Sequence, residues 1–200
     1  MTTARDLALI ALGLPSDQPV EQGDLSLALA GAEALDLLES GALTVDGDRM
    51  VADGPVATGD RLLDQAAASL ARQRPDETVE DWLWRRGHEL ASAYVDDLER
   101  AGLVSHPRHH GFHLWSGRAV LADSPERARA EERRRSGEPV LGALMAAAGI
   151  GAEPSEEGES PIGDAVATVL AAVGEAVTRL EALRLRRDVE NAAFDNIWRG

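Results

Sequence analysis

Four histidines, His106, His109, His110 and His113, fall within eight residues of one another, close enough for their imidazoles to share a zinc or copper ion. No Cys, Asp or Glu lies among them, and a solvated hairpin turn accounts for the cluster at least as well, so no metal or other cofactor is assigned. Arginines gather in three places. Arg133-Arg134-Arg135 and the group Arg184, Arg186 and Arg187 sit near expected helix C-termini, where cations offset the macrodipole, and a charge-balanced solvated face explains them. Arg85-Arg86 differ because they follow Trp82 and Trp84, and aromatics beside guanidiniums can seat an anionic headgroup or a partner. Positions i and i+2 of a helix cannot share a face, so one of the two tryptophans is assigned to the core. Arg85, Arg86 and the neighbouring His88 are the candidate lipid- or anion-binding residues.

Catalysis finds no comparable support. The chain has no Gly-x-Ser-x-Gly elbow, no His-Glu-x-x-His and no dinucleotide fingerprint. Asp96-Asp97 and Glu131-Glu132 are carboxylate pairs, but adjacent helical positions diverge by about 100° and do not converge on one substrate. No catalytic residue is expected, and the reading is of a protein that binds rather than one that reacts.

The elements that would position these residues follow from composition and punctuation. Of the 200 residues 44% are hydrophobic and only 4% aromatic, so the core must come from alanine and aliphatic side chains on amphipathic helices, and one domain spanning 1–200 is expected. A charge of −15 repels polyanions at long range, which argues against generic nucleic-acid binding. The absence of cysteine fits a reducing compartment; with no signal-like or membrane-spanning run, a soluble, cytoplasmic protein is expected, free to dock peripherally on a membrane.

Helices are expected over 4–14 and 25–39. Gly41 stops the second, and the runs Ala42-Leu43-Thr44-Val45 and Arg49-Met50-Val51-Ala52 flank Asp46-Gly47-Asp48 as a β-hairpin. The same order returns downstream: an amphipathic helix from Glu89 to Arg100, a stop at Gly102, then Leu103-Val104 and Phe112-His113-Leu114-Trp115 around a polar turn. Between the two units, Thr58-Gly59-Asp60 reads as a cap for a helix reaching about Arg74, and Asp76 or Thr78 caps the helix carrying the tryptophans. Ser124-Pro125 opens a charged helix to about Arg135, and 140–148 is an apolar core helix. Residues 149–163 read as a flexible acidic loop, and 164–199 as a C-terminal helical segment with a break near Asp188. The fold class is mainly α: a helical bundle with two helix-glycine-β-hairpin units.

A helix, a glycine and a hairpin also outline a winged helix, but the order of the remaining pieces narrows the field. Leu29-Ala30-Gly31-Ala32 through Leu38-Glu39-Ser40-Gly41-Ala42-Leu43, then Thr58-Gly59-Asp60-Arg61-Leu62-Leu63-Asp64, then Asp81-Trp82, then Leu98-Glu99-Arg100-Ala101-Gly102-Leu103-Val104 resemble the Golgi phosphoprotein 3 family, which includes bacterial members. The resemblance implies a helical domain with a protruding hairpin and a peripheral, non-enzymatic adaptor role, in eukaryotes through phosphatidylinositol 4-phosphate. It sets the eukaryotic headgroup positions, a tryptophan and arginines, at about Glu21, Ala30, His88 and Ala91, where none of those residue types is retained. It also sets Phe112, Leu114 and Trp115 on an apolar stretch associated with membrane contact and self-association. The implied partner is an anionic, phosphoinositide-type lipid or a protein, with a homo-oligomer formed through the second hairpin. The rivals are a winged-helix regulator of DNA, against which the acids Glu33, Asp36, Glu39, Asp96, Asp97 and Glu99 argue, and a pure homodimerisation module.

Overall fold

In the computed structural model, which describes residues 2–15, 18, 20–54, 57–73, 76–105, 120–151 and 162–198, the first two helices are α1 (Thr3–Gly13) and α2 (Gln22–Glu39). Neither has the one-sided pattern of a surface helix. Small and aliphatic residues fill most positions of α2, so its stretch from Ser26 to Leu37 is buried on every side. The other helices pack around it. α1 is tied on by Asp36 of α2, whose carboxylate accepts from the N–H groups of Thr3 at 2.8 Å and Ala4 at 3.0 Å, satisfying donors that a helix start leaves open.

At the far end of α2 the chain makes a Schellman turn. Gly41 takes φ +71, its N–H reaches Leu38 O, and the Ala42 N–H reaches Leu37 O at 3.0 Å. Strands β1 (Leu43–Asp46) and β2 (Arg49–Ala52) then pair antiparallel with Leu43 opposite Ala52, and the hairpin closes where the Asp53 N–H bonds Ala42 O. Two helices follow, α3 (Arg61–Ala71) and α4 (Val79–Arg86). The run Thr58-Gly59-Asp60 caps α3: Asp60 Oδ1 accepts from the N–H groups of Leu62 and Leu63, while Thr58 bonds the Asp64 carboxylate through both N–H and hydroxyl. Those Thr58 bonds hold the Asp64 carboxyl below the usual aspartate range. Of the two cap candidates for α4, Thr78 is the one used.

The second unit repeats the first bond for bond. After α5 (Leu90–Arg100), Gly102 takes φ +73, its N–H reaches Glu99 O, and the Leu103 N–H reaches Leu98 O. Strand β3 (Val104–Ser105) pairs with β4 (Val120–Leu121), and the Ala122 N–H bonds Leu103 O as Asp53 bonds Ala42. This corrects the expected return arm. The strand opposite Val104 is at Leu121, not at 112–115, so the second hairpin runs from 103 to 122 where the first runs from 42 to 53, eight residues longer. Its residues 106–119 lie outside the described residues, and with them His106, His109, His110, His113, Phe112, Leu114 and Trp115.

α6 (Pro125–Arg135) begins at the expected Ser124 cap, α7 (Pro139–Ala147) follows, and α8 (Asp164–Trp198) is one continuous helix. The expected break near Asp188 is absent, because no glycine or proline interrupts the run after Gly174. Most of the expected 149–163 loop also lies outside the described residues. α8 lies close along α2 because Gly31 has no side chain: a Cβ there would come within 2.3 Å of Val173 Cγ2, whose β-branched side chain cannot swing aside in a helix. Gly31→Ala is therefore expected to cost about 1–3 kcal/mol by overpacking. Gly174→Ala, in α8 with nothing within 4 Å, gains about 0.5–1 kcal/mol of helix propensity instead. Urea denaturation of the two variants separates these signs. Among the described residues no helix is long and apolar enough to cross a membrane.

Candidate functional site

The tryptophans part as helical spacing requires. Trp82 turns inward, is fully buried and donates its indole N–H to Ala30 O at 3.0 Å; Trp84 is half-buried and faces an open cleft. That cleft, of about 530 Å³, lies between the first turns of α2, the α4–α5 junction and α8. Gln22, Ser26, Trp84, His88, Ser92 and Leu180 supply its walls. The bend that opens it is a backbone outlier: Glu89 has φ +56, the only non-glycine positive φ among the described residues, and a side chain there costs roughly 1–3 kcal/mol in an uncompensated setting. Across the cleft the two helix starts are stitched together, with the Ala91 N–H donating to Ser26 Oγ at 3.1 Å and Gln22 Nε2 to Ser92 Oγ at 2.6 Å.

The three expected binding residues do not share one surface. Arg86 points into the molecule, donating to both carboxylate oxygens of Glu33 at 2.6 and 2.8 Å and to Leu62 O at 3.1 Å. Glu33 is wholly buried and also accepts from the Tyr94 hydroxyl at 3.1 Å. Burial pushes the Glu33 carboxyl up, opposed by Arg86, and pushes the Tyr94 hydroxyl well up, reinforced by the Glu33 charge. Arg86 is thus a positioning residue of the interior. Arg85 lies over the Trp82 ring at 5.3 Å and is paired with the Glu77 carboxylate. His88 stands at the rim, 79% exposed, with Nδ1 3.9 Å from a Glu89 carboxylate oxygen.

Around the cleft, the cations come already matched. Arg184 of α8 reaches Asp24 in the first turn of α2 at 2.8 and 3.0 Å, and Arg179 pairs with Glu80. The sequence assigned Arg184 to a solvated face and did not single out Gln22, Ser26 or Ser92. The i and i+4 placing of Gln22 and Ser26 on one face of α2 was the only trace. Of the positions that the resemblance sets at the eukaryotic headgroup site, Glu21 and His88 are exposed, while Ala30 and Ala91 are buried. Among the described residues no group of three His, Asp or Glu is placed to hold a metal ion.

The family described as Golgi phosphoprotein 3 (GPP34) matches residues 4–196 of this chain. No curated protein gives a significant match.

Proposed function

The chain belongs to the Golgi phosphoprotein 3 family, and from that premise we propose that it is a non-catalytic, adaptor-type protein that docks peripherally on an anionic, phosphoinositide-type lipid surface. The observation that carries this reading is the extent of the family match, which takes in the cleft and the arms of both hairpins. In this role His88 meets the headgroup at the cleft rim, Arg85 adds a cation at the same end of α4 on giving up Glu77, Arg86 fixes the α4 end of the cleft by holding Glu33, and Phe112, Leu114 and Trp115 supply apolar contact from the second hairpin.

One observation favours a protein ligand in place of the lipid. Arg85, Arg86 and Arg184 are each matched to a carboxylate, which leaves little unspent positive charge at the cleft in a chain of net charge −15. Flotation with vesicles of phosphatidylcholine, with and without phosphatidylinositol 4-phosphate, separates the two. The lipid reading expects enrichment with the phosphoinositide vesicles only. It also expects the double variant Phe112→Ser, Trp115→Ser to bind at least about tenfold more weakly, since withdrawing each aromatic from an apolar medium forfeits roughly 1.5–3 kcal/mol. Equal flotation by the variant removes the hairpin from the mechanism, and no flotation at all leaves the protein ligand.

A further inference from the structure

The C-terminal half of α8 leaves the body of the molecule and reverses its apolar face. Up to Leu180 the helix is held down by Val169, Val173 and Ala176, all buried against the core. From Glu181 to Asn191 every residue is exposed except Arg184, and the helix continues to Trp198, a projection of about 27 Å at 1.5 Å per residue. At about 100° per residue, Leu185 and Val189 lie roughly 120–180° around the helix from the face that packs on the core. They are 62% and 69% exposed, and with Ala182 they follow a three-then-four spacing, the seam of a two-stranded coiled coil. Thr178, the next residue of that spacing towards the N-terminus, is polar and turns its hydroxyl back to Gly174 O at 2.9 Å, which ends the seam where the helix is still docked.

We propose that this projecting half of α8 is a self-association element, in which Leu185 and Val189 of one copy pack in parallel against the same residues of a second copy. The flanking charges choose both the occupant and the direction. Beside the seam stand Glu181 and Asp188 on one side and Arg186 on the other. In a parallel pair each Glu181 faces the partner's Arg186, which exchanges its exposed pairing with Glu190 at 2.9 Å for an interchain one, giving two matched ion pairs. An antiparallel pair would instead set Arg186 against Arg186 and Asp188 against Asp188. Because the seam lies opposite the docked face, two parallel helices meet back to back with each body on its own outer side. A free helix of this length is marginal in water, and a second copy supplies the burial it lacks.

The chain has no cysteine, so the full-length variant Leu185→Cys carries a single thiol and reports direction directly. A parallel seam places residue 185 against itself, and mild oxidation is expected to give a disulfide-linked dimer in high yield, with Val189→Cys behaving alike. Sedimentation over a range of concentrations is expected to show a reversible dimer that Leu185→Glu weakens at least tenfold at unchanged circular dichroism, since the site is exposed. Glu181→Arg is expected to weaken it, and Glu181→Arg with Arg186→Glu to restore it. The dimer is expected to survive Phe112→Ser with Trp115→Ser, which separates it from hairpin-driven association. The proposal is overturned by a monomer at all concentrations, by a dimer indifferent to Leu185→Glu, or by cross-linking of Leu185→Cys only with Val189→Cys. It also fails if Leu185→Glu abolishes vesicle binding of a protein that is monomeric throughout, since the seam would then serve lipid.

Discussion

Replacing Arg86 with methionine is expected to lower the unfolding free energy by about 3–5 kcal/mol, the usual result of stripping one partner from a buried ion pair. Glu33 has no route to water, and its remaining contact, the Tyr94 hydroxyl, cannot neutralise it. The loss should depend on pH with a definite sign. Burial raises the Glu33 carboxyl above its ordinary value of 4.5, so the folded state takes up a proton more readily than the unfolded chain. Its contribution is favourable below the ordinary value and is lost as pH rises through the raised native one. Without Arg86 the carboxyl rises further, so the deficit of the variant should be larger at pH 8 than at pH 5 in chemical denaturation. Adding Glu33→Gln should recover part of it by removing the charge. A deficit that is flat with pH and untouched by Glu33→Gln would mean that Arg86 acts through packing alone.

Truncating Trp82 to alanine should cost a similar amount, about 3–5 kcal/mol, because the indole fills the junction of α4 with α2, and its loss leaves a cavity and removes the bond to Ala30 O. Arg85 would also lose the ring beneath it. Trp84→Ala should cost much less, since that side chain is half in solvent at the cleft. Equilibrium denaturation of the two variants reads the contrast, and equal losses would contradict the division of the pair between core and cleft.

The punctuation of the chain was legible because it acts locally. Gly41 and Gly102 occupy positive φ after their helices, Ser124 caps where it should, and Gly47 at φ +62 turns the first hairpin, all within a few residues of the signal. What escaped were the pairings that cross the chain. Nothing near Arg86 tells that its partner is Glu33, 53 residues earlier, so a guanidinium bound to the interior looked like one open to a ligand. The second hairpin was legible as a unit, and only its return arm was misplaced, for a related reason. Apolar residues at 112–115 supply strand character, but the register is set by the glycine turn at 102 and closes only at Leu121. The seam at Leu185 and Val189 was hidden by the neighbouring arginines, which made the segment look uniformly polar.

The deep seating of α1 sets a timetable for the nascent chain. Its Asp6 is nearly inaccessible in the fold, and its cationic partner, Arg133, comes 127 residues later. At synthesis rates of about 5–20 residues per second, that partner leaves the ribosome on the order of 6 to 25 s after Asp6 does. For that interval Leu7, Leu9 and Ile10, the most apolar turns of the first helix, have no completed core to enter. A segment made well before its partner is sealed only after that partner arrives, and until then it is a natural substrate for whatever holds unfolded chains apart.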